Sequence, residues 1–310
     1  MTRVITFGET MALARTTEIG SLRHAAGLAL GIGGAESNVA VGLQRLGVDV
    51  SWLGRIGDDP LGERIARELR GEGLDVHALI DTQAPTGLML KERPSAASTA
   101  VHYYRRGSAG SRLHPTDLPS GWIEDADLLH VTGITPLLSE MAHATVRAAV
   151  ERARIAGVPV SFDVNYRSAL AAPGIAGPIL REIAELSTLV FGGVEELDLL
   201  TPDAAKSLLE RGVEQVVVKR GPAGAAVFTA AGATDAPGFA IDPLDTVGAG
   251  DAFVAGYLSA HLEGLGIAEA LVRANACGAM ACLVPGDWEA APTRRDLERF
   301  LADGGDPVRR

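Results

Sequence analysis

The chain has 310 residues, of which 47% are apolar, 22% charged and 5% aromatic, a balance that excludes disorder, a coiled coil and a collagen-like fibre. Lys and Arg number 28 against 39 Asp and Glu, a net charge of −11. Phosphate backbones and anionic lipid are repelled by such a surface, so neither nucleic acid nor a membrane is an expected partner. Two cysteines, Cys277 and Cys282, are too few for a disulfide framework or a zinc cage and suit a core in a reducing cytoplasm. No uncharged run approaches the roughly 20 residues of a membrane span, and Met1 to Thr10 reaches Glu9 after a short apolar strand, unlike a secretory leader.

Short apolar runs alternate with helical periodicity along most of the chain. Val4 to Phe7 reads as a first strand. Val39, Leu43 and Leu46 recur at helical spacing until Gly47 stops them. Val50 to Ile56 is a strand, and Asp59-Pro60 reads as a cap with proline in the first turn, opening a helix to about Leu69. Leu128 to Val131 is strand-like. Val146, Ala149, Val150 and Ala153 form a helical stripe that Gly157 ends, and Val158 to Val164 is the next strand. Leu186 to Phe191, Gln215 to Lys219 and Ala225 to Thr229 are β-branched runs, and Thr201-Pro202 is expected to start a helix. Beyond Gly250 the pattern is almost purely helical: Ala252 to Glu263, Ile267 to Leu283 and Thr293 to Leu301, the last opened by a capping box between Thr293 and Asp296.

Strand–helix–strand repetition predicts a mostly parallel sheet with helices on both faces, a three-layer α/β/α sandwich. Two stretches break it. Thr86 to Glu92 and Thr99 to Arg105 read as consecutive strands joined by a polar turn, and Ser21 to Ile32 is also non-helical. They predict a small β-sheet, built from about 10–33 and 85–108, that would cover a cleft in a single domain of 1–310.

The sharpest segment is Asp245-Thr246-Val247-Gly248-Ala249-Gly250-Asp251. Two glycines flank a small residue where a helix begins, so free backbone N–H groups and the helix dipole would bind an anion there. Asp251 sits at the mouth of that site, placed to take a proton from an attacking hydroxyl. Beside a bound γ-phosphoryl group, that is the equipment of phosphoryl transfer. There is no Gly-x4-Gly-Lys-Ser/Thr loop, and Gly8-Glu9-Thr10 after the first strand is no dinucleotide fingerprint.

With Gly33-Gly34-Ala35-Glu36-Ser37-Asn38 near the start and Asp245 to Asp251 near the end, the chain resembles the ribokinase-like (phosphofructokinase-B type) carbohydrate kinases over essentially its whole length. The resemblance implies an α/β/α fold with a β-lid, and transfer of the ATP γ-phosphoryl to a sugar hydroxyl. It makes Asp251 the base, Gly248, Ala249 and Gly250 with Asp251 the anion hole, and residues 34–38 a sugar site. It places nucleotide contacts along Lys219, Arg220, Gly221, Pro222, Ala223, Gly224 and Ala225, with Asn165, Arg167 and Asn275 nearby. The alternatives are a plain β-turn with a solvated Lys-Arg pair, and a solvent-facing Asn275. Magnesium is expected with the nucleotide, with Glu196 reaching it through water. Gly193 stands where the family's Asn-x-x-Glu element has its asparagine.

Which sugar is argued from arginine. Tyr103 and Arg105 alternate onto one side of a strand, and Arg167, in Asn165-Tyr166-Arg167, follows the carboxyl end of another, where open α/β sheets bind ligands. Two guanidiniums converging in an acidic protein suit a carboxylate, which arginine can hold through both oxygens. The Tyr103-Tyr104-Arg105 and Asn165-Tyr166-Arg167 strings are similar to those of the family's 2-keto-3-deoxygluconate kinases. That resemblance implies phosphorylation of 2-dehydro-3-deoxy-D-gluconate to its 6-phosphate, with Tyr103, Arg105 and Arg167 holding the keto-acid end, Tyr104 and Asp287 also at the substrate, and Met89 at a substrate position where a tyrosine is common. A kinase for fructose or ribose, and a non-catalytic sugar- or nucleotide-binding regulator, are the alternatives. Apolar residues on both faces of the β-flap, such as Leu88, Leu90, Val101 and Tyr103, predict a homo-oligomer joined through it.

Overall fold

The computed structural model describes residues 2–95 and 98–302. Part of the polar turn expected between the two flap strands, and the ends of the 1–310 domain, lie outside them. In chain order the elements are β1 (Arg3–Phe7), β2 (Met11–Thr16), β3 (Leu28–Gly33), α1 (Ala35–Arg45), β4 (Asp49–Gly57), α2 (Pro60–Gly71), β5 (Asp75–Asp81), β6 (Leu88–Ser95), β7 (Ser98–Tyr104), β8 (Leu128–Thr132), α3 (Glu140–Ala156), β9 (Val160–Asp163), α4 (Pro173–Glu185), β10 (Leu189–Gly193), α5 (Val194–Leu200), α6 (Ala204–Glu210), β11 (Gln215–Lys219), β12 (Ala225–Thr229), β13 (Gly232–Ala236), α7 (Ala249–Leu262), α8 (Ile267–Ala281) and α9 (Arg294–Ala302).

Nine strands form one sheet in the order β13-β12-β11-β10-β9-β8-β1-β4-β5. The pairs from β11 through β5 are parallel, whereas β11–β12 and β12–β13 are antiparallel. Both faces are covered, which is why the central strands read as continuous apolar runs rather than alternating ones. On one face α1, α2, α7 and α8 contribute Val39, Leu43, Ile65, Leu69, Val254, Leu258 and Leu271 to a single buried cluster. On the other, α3 to α6 contribute Val146, Val150, Leu180, Leu197 and Leu208. The three-layer sandwich is therefore as expected.

Helix ends follow local chemistry. Asp59 Oδ1 accepts from the Leu61 and Gly62 amides at 3.0 and 2.8 Å, and Thr293 and Asp296 close their reciprocal box. The start expected at Thr201-Pro202 is displaced: Thr201 ends α5, and α6 begins after Asp203, which takes a left-handed φ of 51°. The unanticipated α5 explains the shift, because two short helices share one apolar stretch.

A second sheet has the order β3-β2-β6-β7. Its cross-strand register is Leu90 opposite His102, Lys91 opposite Val101 and Met89 opposite Tyr103, with Ala14 opposite both Leu30 and Leu90. Alternation thus sorts the flap's residues: Met89, Lys91, Val101 and Tyr103 share the inner face, while Leu30, Leu88, Leu90 and Tyr104 share the outer one.

Candidate functional site

The carboxyl ends of β9, β10 and β11, the start of α7 and the inner face of the small sheet enclose a cleft of ≈ 370 Å³, lined among others by Tyr103, Asn165, Arg167, Lys219, Gly248 and Asp251. A second hollow of ≈ 340 Å³ between α3 and α4 is lined by charged side chains such as Arg147, Glu151 and Glu182. Arg147 pairs with both glutamates.

Asp251 lies in the first turn of α7 and is 9% exposed. Its Oδ2 accepts from Asn38 Nδ2 at 2.8 Å, and its Oδ1 from Asn165 Nδ2 at 3.3 Å. Burial pushes its carboxyl up to about 7, against the Asn38 hydrogen bond and with help from the nearby Asp163 charge. Asn165 bends back toward it with a φ of 38°, a left-handed conformation that asparagine tolerates. Asn38 therefore aims the aspartate from α1.

The expected anion site is a helix start whose first amides have no intrahelical acceptor. Ala249 N–H makes a long bond of 3.4 Å to Thr246 O, so the Gly250 and Asp251 amides are the freer donors. Gly248 caps α7 with a φ of 81°, and a Cβ there would run into the Asp287 carbonyl oxygen. Only glycine serves at that position.

Lys219, at the end of β11, reaches Asp163 Oδ1 and Oδ2 at 2.7 and 2.8 Å. Burial disfavours its ammonium, but Asp163, Glu196 and Asp251 outweigh burial and raise its pKa. Glu196 is engaged too, accepting from Tyr166 N at 2.9 Å and Gly193 N at 2.7 Å. Gly193 thus gives the glutamate a backbone partner. Arg167 is exposed, donates to its neighbour's Tyr166 carbonyl at 3.2 Å and forms no ion pair among the described residues.

Several residues expected at ligands are otherwise engaged. Arg105 is buried, with Nε at 2.7 Å and its terminal nitrogen at 2.5 Å from Glu9 Oε2, and its guanidinium carbon is 5.8 Å from the Tyr103 ring centre. Glu36 is buried beneath the cleft floor, where Thr132 and Thr135 hydroxyls donate to it at 2.7 and 2.6 Å. Ser37 donates to Gly34 O at 3.0 Å. Ala35 is core, and Gly34 serves as an N-cap packed against the Glu9 carbonyl. Met89 joins Met11, Leu13 and Val101 in an apolar cluster. Tyr104, 62% exposed, is on the outer face of the small sheet. Asp287 is held by Lys91 at 2.9 Å. Asn275 is neither solvated nor free, because it donates to Ala236 O and Pro237 O at 3.3 and 3.0 Å. Arg220 pairs with Asp235, Gly221 to Ala223 form a single exposed turn, Gly224 ends it, and Ala225 is interior to the sheet.

Thr246 and Val247 of the Asp245–Asp251 string also line the cleft; residues not anticipated are Asp163 on its wall, and Glu9 and Lys91 behind it. Asp163 sits at the carboxyl end of β9, where the rule for open sheets would have found it. Lys91 carried no signal, being one polar residue within an alternating strand.

Residues 1–294 match the family model described as pfkB family carbohydrate kinase. The chain belongs to that family. It is 40% identical to a 2-dehydro-3-deoxygluconokinase of Bacillus subtilis, covering 96% of this chain and 95% of that one. It is 36% identical to a 2-dehydro-3-deoxygalactonokinase of Haloferax volcanii, covering 97% of each. A ribokinase II structure from E. coli in complex with ATP and Mg2+ superposes with a TM-score of 0.90 at 25% identity, covering 98% of this chain and 100% of that one. No helix among the described residues is long and apolar enough to cross a membrane.

Proposed function

We propose that the chain is an ATP-dependent kinase that phosphorylates 2-dehydro-3-deoxy-D-gluconate at its terminal hydroxyl, giving the 6-phosphate. One observation carries the choice of acid: Arg167, with no ion-pair partner among the described residues, lines the same cleft as Asp251. A lone guanidinium facing a ligand cleft supplies the paired donors that a carboxylate takes. Tyr103, 41% exposed on the inner face of the small sheet, covers the same end.

Asp251 takes the proton of the acceptor hydroxyl as that oxygen bonds the γ-phosphorus. The bond from that phosphorus to the β–γ bridging oxygen breaks, and ADP leaves. Asn38 and Asn165 hold the carboxylate in one orientation throughout. The Gly250 and Asp251 amides face the charge on the transferred group, and Lys219, kept cationic by Asp163, adds positive charge beside them. Magnesium fits as a companion of the nucleotide. Among the described residues no three Asp, Glu, His or Cys side chains form a metal cage, and the Glu196 oxygens already accept backbone amides, so contact through water is what remains to it. Bound with the phosphates, the ion neutralises their charge.

The chain acts as one kinase domain in the cytoplasm, with the small sheet (about 10–33 and 85–108) as its lid. The lid's outer face leaves Leu28 44%, Leu30 52% and Tyr104 62% exposed, and a second copy of the chain covers it in a homodimer. A monomeric mass by light scattering at micromolar protein overturns the dimer.

A neutral-sugar kinase is the second reading, favoured by Arg105, whose charge Glu9 already balances. An ADP-release assay decides: 2-dehydro-3-deoxygluconate and its galactonate epimer are used at least ~10-fold more efficiently than fructose or ribose, as one charged contact allows. Equal use of a neutral sugar overturns the acid. Ligand-induced heat stabilisation with no ADP release from any sugar indicates a binding regulator.

A further inference from the structure

The small sheet sends one charge into the protein. Lys91, on the inner face of β6, is buried, with its ammonium 2.6 Å from Asp245 Oδ2, 2.9 Å from Asp287 Oδ1 and 3.0 Å from Gly286 O. Both aspartates are buried as well. These three contacts join parts of the chain that are far apart in sequence: the small sheet, the start of the Asp245–Asp251 segment, and the loop that follows α8.

Asp245 links this cluster to the phosphate-binding turn. Its Oδ1 accepts from Val247 N at 3.2 Å, and its Oδ2 also accepts from Gly286 N at 3.3 Å. The Gly248 backbone packs directly against the Asp287 carbonyl. The ammonium therefore lies behind the turn whose front faces the cleft. It offsets one of the two negative charges that would otherwise oppose a phosphate on the other side. It is also the point at which β6 grips both loops.

We infer that Lys91 is a positioning residue for the phosphate-binding turn, its ammonium bridging Asp245 and Asp287 behind Gly248 and making anion binding at the start of α7 depend on a docked small sheet. It touches no substrate and acts through Asp245 and the Gly286–Asp287 backbone. A buried carboxylate that loses its partner is strongly disfavoured, so the two loops cannot keep this packing once the ammonium is removed. The inference rests on the phosphoryl-transfer reading only in taking the ligand of the turn to be a phosphate, and it is independent of which sugar accepts.

The experiment measures ATP binding by calorimetry without any sugar, alongside turnover and melting, for Lys91→Met and Lys91→Arg. Lys91→Met is expected to weaken ATP at least ~10-fold and to lower kcat at least ~10-fold, the effect of one charge-assisted contact. Lys91→Arg restores much of both. Added ammonium or methylammonium, which can enter the space left among Asp245, Asp287 and Gly286 O, partly rescues Lys91→Met and leaves the unaltered chain unchanged. If Lys91→Met does not fold, Lys91→Met/Asp287→Asn, with one uncompensated carboxylate removed, is read in the same way. ATP affinity and kcat within twofold of the unaltered chain overturn the inference. So does a loss that tracks melting alone, with no recovery by arginine or ammonium. Should the unaltered chain phosphorylate no sugar acid while Lys91→Met still loses ATP, the acceptor assignment fails and the role of Lys91 stands.

Discussion

The cleft around Asp251 and the turn that follows β11 are held differently. Around Asp251 the polar side chains are tied down: Asn38 and Asn165 to the aspartate, Arg105 to Glu9, and Lys91 to Asp245 and Asp287. Along 220–223 the chain forms an exposed turn in which the ion pair of Arg220 with Asp235 is solvated. Buried, fully partnered networks fix geometry, whereas exposed pairs contribute at most about 1 kcal/mol. Buried partners thus hold Asp251 in one orientation, whereas water competes for Arg220.

Substitution in the cleft tests this most severely. Asp251→Asn is expected to lower kcat at least ~10²-fold, the scale of a lost general base, with ATP affinity little changed by calorimetry. In the unaltered chain kcat/KM rises with pH and levels off above about 7, the value to which burial lifts Asp251. The sign for stability is opposite. A carboxyl held neutral in the fold but ionised in the unfolded chain costs stability as pH climbs from the ordinary value near 3.8 toward about 7. Asp251→Asn should therefore melt higher than the parent at pH 8, and a lower melting temperature would show that the aspartate is not strained by burial.

Arg167→Ala is the next largest effect. It raises KM for the sugar acid by about 10- to 100-fold, the range of one charged hydrogen-bonded contact, and leaves KM for fructose unchanged; an equal rise for both would move Arg167 to the phosphates. At the exposed turn Arg220→Ala should change KM for ATP less than about threefold, since a solvated pair contributes little. A tenfold change there would erase the difference between the two regions.

Much of the fold could be read from the chain because parallel strands buried on both faces leave uninterrupted apolar runs. Gln215–Lys219 and Ala225–Thr229 match β11 and β12 to the residue. Short α5 was missed because it shares its apolar residues with α6 across Thr201. At the site, the glycine-flanked helix start and Asp251 were legible, since a phosphate turn needs particular residue types in a fixed order. The partners of Arg105, Asp287 and Asn275 were not. Glu9, Lys91 and Ala236 lie 96, 196 and 39 residues away from them, and long-range pairing of charges leaves no local pattern. Tyr103 and Tyr104 were both assigned to substrate, although alternation along β7 sends only one of them inward.

Gly248 also bears on how acceptor choice could be altered in the laboratory. Its backbone is pressed against the Asp287 carbonyl, so a saturation library at this codon would return glycine alone. Useful diversity lies across the cleft, at Val101 and Tyr103, where the small sheet presents side chains rather than main chain. Directed evolution of this scaffold therefore has a closed wall and an open one.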